Sequence, residues 1–533
     1  MKITKNIVSK YFYYKIRIKV FFLKLFEMFI WTINTYNLKK KIKEKKKSIV
    51  FVELNTSLTT IKVNCLLATA LKKKFKIIVI LNHYSPFYEY FYKKVGISNF
   101  IYLDQSLDKK KNKKVSLLLK KIKSTSNFLN FSFESIRIGK FIASKILREE
   151  HTGNFDLKKV KNEKIKNYFF NSIAKIENFK NIINKLNIKF LIFNERGYSP
   201  SGEIFELALK NNIKCIQWFG SPIDKFHSLK CYDWSMRQHH PLKLSKSTVK
   251  ILLLADKKKQ ISTKIMSHLK DQYYSQKGFN RQNLQKNKII LNKSQLKKKL
   301  KIFNNKKICC VFTHILDDAT FFYGTSLFSS YESWLRHTLL EAKKNEQINW
   351  VVKIHPANML TTNFSLEEKL INEMFKKIPK NIRIVKPDSV INTFSFFQNI
   401  DFALTVRGTV GCELACYGVP VITAGTGRYS HQGFTVDPKD KKEFLNILSN
   451  LNSIKKLTSK QIKLARIYTY GSLIARSIKM DGIKIDYDYN GISLEKSNLV
   501  DIPKSYNDFL KKSDVKKILN WIDKNAADEL LEI

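Results

Sequence analysis

The chain has 533 residues, with 97 Lys and Arg against 44 Asp and Glu, for a formal net charge of +53. Its 44% hydrophobic and 13% aromatic content excludes a disordered chain, and only 17 Gly and 10 Pro exclude a collagen-like or Pro/Gly-rich architecture. The length suits two sizeable domains with appendages, each able to bury its own core. Lys, Asn and Ile are over-used throughout, so a general compositional bias accounts for most of the charge. The lysines are dispersed and no nucleic-acid module is present, so nucleic acid is not an expected partner. The seven cysteines are scattered, with no CxxC pair and no Cys/His cluster at zinc spacing, and read as reduced core residues of a cytosolic protein.

Residues 1–47 form a basic, aromatic segment. Tyr11 to Tyr36 (YFYYKIRIKVFFLKLFEMFIWTINTY) is interrupted by Lys24 and Glu27, and KKKIKEKKK follows. The apolar run is too short to span a bilayer, and it lacks the clean core and small-residue cleavage site of a signal peptide. Two readings fit: an amphipathic helix at an anionic inner-membrane surface, or a helix packed on the first domain.

From Ser48 the pattern becomes β-α-β. SIVFVEL and KIIVILN are short apolar runs flanking the helical TIKVNCLLATALKKK, and the same grammar returns at KFLIFNE, a helix over Glu203 to Asn211, and IKCIQWFG. Short β-branched runs between helices imply a parallel sheet covered on both faces, so 48–235 is expected to be a Rossmann-like domain. The Lys- and Gln-rich stretch 236–305 reads as a connecting region. A second Rossmann-like domain, 306–455, runs through KKICCVFTHI, a helix over Tyr331 to Lys344, INWVVKIHP, a helix over Leu366 to Lys377, IRIVKP, IDFALTVRG and GVPVITAG. Residues 456–533 read as C-terminal helices, one of which is expected to pack back across the first domain. The fold class is therefore α/β, with two Rossmann-like domains meeting at a cleft where ligands face the carboxyl ends of the strands.

The stretch from Thr405 to Pro438 carries the most chemistry. A strand end, a turn at Arg407-Gly408 and a helix with Thr409 as N-cap and Gly418 as stop make an anion site at the sheet edge. The N–H groups of Thr409, Val410 and Gly411 are expected to face a phosphate, with Gly408 and Gly411 allowing close approach and Arg407 adding charge. Glu413, one turn in, is placed to accept from a sugar hydroxyl. Gly425, Arg428 and Tyr429 form a candidate sugar loop. A second cluster, Lys353-Ile354-His355-Pro356, leaves a strand at the same edge, and His355 is expected to donate to phosphate or sugar rather than bind metal. A third, THILDDATFFYG, offers His314, Asp317 and Asp318 in the loop after the first strand of the second domain. Asp318 or Asp317 is a candidate general base toward an acceptor hydroxyl, and Glu195 in NERGYSPSG is the rival from the first domain.

Taken in order, HILDDATFFYG, SYESWLRHT, VVKIHPAN, INTFSFF and TVRGTVGCELACYGVPVITAGTGRYSHQGFTVDP resemble the capsule polysaccharide biosynthesis proteins, a family that includes Kdo transferases of glycosyltransferase-B architecture. The resemblance implies sugar transfer from a nucleotide-activated donor during surface polysaccharide assembly, with the donor held mainly by the second domain. It further implies phosphate binding by His355, Gly408 and Thr409 and catalysis by Asp318. This chain departs from the family's usual Gln- or Thr-Ser pair before the helix, having Arg407-Gly408-Thr409 there.

The expected function is glycosyl transfer from a nucleotide-sugar donor to a capsule or lipopolysaccharide acceptor, either glycan or glycolipid. The enzyme would be cytoplasmic and peripheral on the inner face of the membrane. No metal and no cofactor are expected, the nucleotide-sugar being a substrate. The same scaffold also suits a nucleotide-sugar epimerase, a polyol-phosphate transferase or a non-catalytic assembly or export factor.

Overall fold

A computed structural model describes residues 2–40, 45–54, 57–103, 107–221, 223, 226–274, 284–285, 287–358, 365–483, 485–488, 496–499 and 503–532. Most of the Gln-rich stretch QKGFNRQNLQ, and part of KKKIKEKKK, lie outside them. Two sheets organise the chain.

The first sheet is built from β1 (Ser48–Glu53), β2 (Lys76–Leu81), β3 (Phe100–Tyr102), β4 (Ile188–Phe193), β5 (Lys214–Gly220) and β6 (Phe226–Tyr232). In space β1 lies between β2 and β4, with β3 beyond β2 and β5 beyond β4, all parallel. Strand β6 runs antiparallel to β5. The strands are Ile-, Val- and Phe-rich because helices cover both faces, and β1 is buried along its whole length. The helix Leu58–Leu71 starts where the Ser57 hydroxyl accepts from the Thr60 N–H, and it is buried almost throughout.

The second sheet contains β7 (Ile308–Phe312), β8 (Asn349–Lys353), β9 (Ile382–Val385), β10 (Phe402–Thr405) and β11 (Val421–Thr423), all parallel. The chain starts at β7, steps outward through β8 and β9, then returns to place β10 on the other side of β7. The order therefore reverses between β7 and β10, and in the first sheet between β1 and β4. Loops part at such switch points and leave a crevice at the carboxyl edge. The chain thus has the two Rossmann-like domains expected of a glycosyltransferase-B arrangement.

Two segments differ from their sequence reading. The stretch read as a connector is part of the second domain's packing. Tyr273, Leu296, Leu300 and Ile302 share a core with Cys310 and Val351, and the helix Ile261–Tyr274 buries Ile261, Ile265 and Leu269 against Cys412, Phe434 and Tyr468. Lysines dominate its composition only because they occupy the solvent side of these helices.

The C-terminal region, read as helices only, also contains strands. Strand β12 (Ile478–Lys479) joins the first sheet antiparallel to β6, and β13 (Ile485–Asp488) pairs antiparallel with β14 (Lys496–Leu499). A two-residue strand has no periodicity to read, so only its partner reveals it. The helix Ser513–Asp523 buries Val515, Ile518 and Ile522 in the first domain's core. Beyond it Glu529 is enclosed, bonded by Lys230 Nζ at 2.6 Å and Thr248 Oγ1 at 2.7 Å. Burial would raise this carboxyl, but Lys230 and Arg476 outweigh it and hold it down at about 2.

All seven cysteines are buried and free. Among the described residues no helix is long and apolar enough to cross a membrane.

Candidate functional site

The crevice between the two sheets encloses about 610 Å3 and is lined from both domains. On the second domain's side the loops after β7, β8 and β10 converge, as the switch point requires.

Lys353 is the last residue of β8, and its side chain turns into the interior. Lys353 is among the residues that line the cleft; its Nζ is buried, lies 5.9 Å from the Phe396 ring centroid and has no hydrogen-bond partner among the described residues. Burial, with Lys288 nearby, pushes the ammonium down from 10.5 to about 8.

His355 follows after the strand ends. Its backbone N–H donates to Thr313 Oγ1 at 3.0 Å, and its Nδ1 accepts from the Ala357 N–H at 3.2 Å. With Nδ1 accepting, the ring carries its proton on Nε2. His314 is stacked on Tyr331 at 4.5 Å and accepts from the Arg407 N–H at Nε2. Burial, reinforced by Arg407, holds it well below the ordinary histidine range, so it is neutral.

The helix expected to open the anion site is Val410–Cys416, only seven residues long, with Thr409 at its N-cap position. Gly418 ends it in the left-handed region at φ +83°, as the sequence predicts. Its start differs from expectation. The Gly411 N–H donates to Gly408 O, so that group is already used. A Cβ on Gly411 would stand 1.9 Å from the Tyr429 hydroxyl, which itself donates to Gly408 O at 2.6 Å. Gly411 makes room for Tyr429 rather than for a ligand.

Arg407 is likewise spent on the fold. Its Nη1 donates to Tyr323 O at 2.7 Å, and its Nη2 donates to Thr325 O and to Ser326 Oγ. It clamps the loop after β7 and does not line the cleft. The cation that does stand at the helix start is Arg428, whose Nη1 donates to Thr409 Oγ1 at 2.7 Å while Nη2 rests against His240.

Gly425 and Tyr429, grouped with Arg428 in the sequence, serve packing. A Cβ on Gly425 would meet Thr325 O at 2.7 Å, and the Tyr429 ring is buried. Glu413 and Gly408 both line the cleft, and Glu413 Oε2 accepts from the Tyr273 hydroxyl at 2.6 Å.

The three candidate carboxylates separate clearly. Asp318 reaches across the domains to accept from Arg148 Nη1 at 3.1 Å and from the Tyr198 hydroxyl at 2.6 Å. Asp317 Oδ2 lies 3.1 Å from His151 Nδ1. Both aspartates latch the loop of the second domain onto the first, although Asp318 also borders the cleft.

Glu195 follows β4 at the first sheet's switch point. Its Oε1 accepts from the N–H groups of Arg196 and Gly197 at 2.7 and 2.9 Å and from the Tyr323 hydroxyl at 3.2 Å. Burial raises this carboxyl above the ordinary range despite the two backbone bonds. It faces the cleft and carries no cation bond among those described.

Several cleft residues escaped the sequence reading, among them His240, Asn194, Gln217 and Tyr323. One signal was available: His240-Pro241 repeats the His-Pro pair of 355–356, and both pairs line the cleft. Arg196 is a structural hub, with Nε donating to Gln217 Oε1 at 3.0 Å and its guanidinium 4.3 Å from the Tyr232 ring centroid. Among the described residues no cluster of three or more His, Cys, Asp or Glu is placed to hold a metal ion.

The cleft between the two Rossmann-like domains is lined by Lys353 and Arg428 from one and by Glu195 from the other. Residues 235–457 match the family described as "Capsule polysaccharide biosynthesis protein". The match takes in the helices before β7 together with the second domain.

No curated protein matches the chain. Among solved structures it is similar to the UDP-GlcNAc 2-epimerase of Neisseria meningitidis bound to UDP-GlcNAc, at 11% identity and TM-score 0.27 over 80% of this chain and 97% of that one. It is similar to KpsC of Thermosulfurimonas dismutans, a beta Kdo 2,4 transferase, at 11% identity and TM-score 0.30 over 53% and 88%. A glycosyltransferase of Rickettsia africae gives 13% identity and TM-score 0.27 over 90% and 99%. Likenesses this distant add nothing to the fold already read from the strand order.

Proposed function

We propose that the protein is a glycosyltransferase of capsule or lipopolysaccharide assembly, moving a sugar from a nucleotide-activated donor to a glycan or glycolipid acceptor. The observation that carries this reading is Lys353: a cleft-lining residue whose enclosed ammonium has no hydrogen-bond partner or counter-ion among the described residues. Burying a charge without a counter-ion is costly, so such a site is completed by an anionic ligand. The donor phosphate supplies that anion. Arg428 at Thr409 and the Nε2–H of His355 complete the donor-side set, while Arg407 acts by holding the loop after β7.

Glu195 is the general base of this scheme. Its raised carboxyl takes the proton of the acceptor hydroxyl as the new C–O bond forms at the anomeric carbon and the C–O bond to phosphate breaks. Lys353 and Arg428 stabilise the charge that gathers on the departing nucleotide. Glu413 holds a donor hydroxyl. The nucleotide-sugar is a substrate, no cofactor takes part, and the enzyme works in the cytoplasm.

The test is thermal unfolding of the full chain with CMP, UDP, GDP or CDP, repeated on Lys353→Met and Arg428→Ala. One nucleotide is expected to raise the melting temperature of the wild type and to lose that effect in both variants. If none does, the transferase reading fails. Turnover of a nucleotide-sugar to an isomer without acceptor would replace it with an epimerase.

A further inference from the structure

The helix Lys2–Thr35 has two faces with opposite fates. Glu27, Trp31 and Thr35, spaced four apart, are buried against the first domain. Glu27 forms an enclosed ion pair with Lys62, the Trp31 indole donates to Phe91 O at 3.0 Å, and the Thr32 and Tyr90 hydroxyls are bonded at 2.6 Å. These bonds fix the helix rigidly to the domain.

On the other side Ile18, Phe21, Phe22, Phe26, Phe29 and Ile33 are each 51–63% exposed. Their spacing of three and four residues lines them along one face, about half a turn from the buried one. Helices that pack on a domain put their apolar residues inward; this one buries a carboxylate and a tryptophan and turns its phenylalanines out. A contiguous exposed apolar face of that kind marks an interaction surface.

Charge selects the occupant. Residues 1–47 hold fourteen Lys and Arg and two Glu, of which Glu27 is already paired with Lys62. A second copy of the chain docking on this face would bring two strongly basic segments together. An anionic bilayer instead accepts the phenylalanines at the acyl boundary while its headgroups meet the lysines.

We propose that the Phe21–Phe22–Phe26–Phe29 face of the helix Lys2–Thr35 is a rigid docking surface for an anionic lipid bilayer, lying in the interface without crossing it. The surface is independent of the cleft chemistry.

The experiment is flotation of the full chain with vesicles of phosphatidylcholine and phosphatidylglycerol in equal parts, against phosphatidylcholine alone. Wild type is expected to float with the mixed vesicles and to bind pure phosphatidylcholine at least about tenfold more weakly. The variants Phe22→Glu/Phe29→Glu and Phe21→Ser/Phe26→Ser are each expected to lower partitioning by about tenfold or more, with unchanged melting temperature. Two variants on one face guard against a local folding defect in either. Equal flotation of wild type and both variants, or no flotation of wild type with mixed vesicles, overturns the proposal. So does self-association seen by sedimentation velocity that both variants abolish, which would assign the face to a second copy.

Discussion

Replacing Lys353 with Met separates stability from function, because the two are expected to move in opposite directions. The ammonium is held at about 8 instead of 10.5 by burial, and at about 1.4 kcal/mol for each pH unit this is a cost of about 3 kcal/mol in the ligand-free fold. The Phe396 ring at 5.9 Å returns up to about 1 kcal/mol of it. Methionine keeps the apolar stem and removes the charge, so the ligand-free variant is expected to be more stable by about 2 kcal/mol at neutral pH. The sign follows from proton binding. Between pH 8 and 10.5 the unfolded chain holds this proton and the folded one does not, so wild-type stability gains on the variant as pH rises, and the difference closes near 10.5. With saturating nucleotide present the difference closes, since losing the contact to phosphate costs about 2 kcal/mol, roughly thirtyfold in affinity. Thermal unfolding across pH 7 to 11, with and without nucleotide, measures both quantities. A variant that is less stable without ligand, or that keeps the full nucleotide-induced shift, refutes the argument.

Glu195→Gln is expected to lower turnover by about 10²–10⁴-fold while leaving nucleotide binding intact. Because the base must be ionised and its carboxyl is raised, wild-type activity should fall in acid at a pH above the ordinary carboxylate range, and kcat against pH should lose that limb in the variant. Arg407→Ala removes donors from the Tyr323 and Thr325 carbonyls and is expected to destabilise the fold by about 2–4 kcal/mol, read by chemical denaturation. Arg428→Ala is expected to act mainly on nucleotide affinity, read by titration calorimetry. Glu529→Gln leaves Lys230 enclosed without its counter-charge and should cost about 3–5 kcal/mol at neutral pH. The wild-type carboxyl sits at about 2, so its stabilisation is present above the ordinary carboxylate pKa and fades as pH falls toward 2. The gap between Glu529→Gln and wild type is therefore expected to narrow in acid.

What the sequence made legible is what repeats along a chain. Strands β1, β2, β4, β7 and β8 are apolar runs between helical patterns, and the helix Tyr331–Lys344 falls where its periodicity predicts. The edges that carry Glu195, His355 and Gly408 follow from those strands, because residues leaving a parallel sheet at its carboxyl end converge whatever their identity. Partners were not legible. Arg407 and Arg428 lie in one glycine-rich stretch and read alike as cations for a phosphate, yet Arg407 meets three carbonyl or hydroxyl oxygens of a loop some eighty residues earlier, and Arg428 meets Thr409 at the cleft. Gly411 reads as room for a ligand until the Tyr429 hydroxyl is found there. The aspartates of LDDAT lose their independence only when Arg148 and Tyr198 arrive from the other domain. A sequence thus presents its functional groups before any is spent on folding. The group that best marks the site is Lys353, which the fold buries without giving it a hydrogen-bond partner or counter-ion among the described residues.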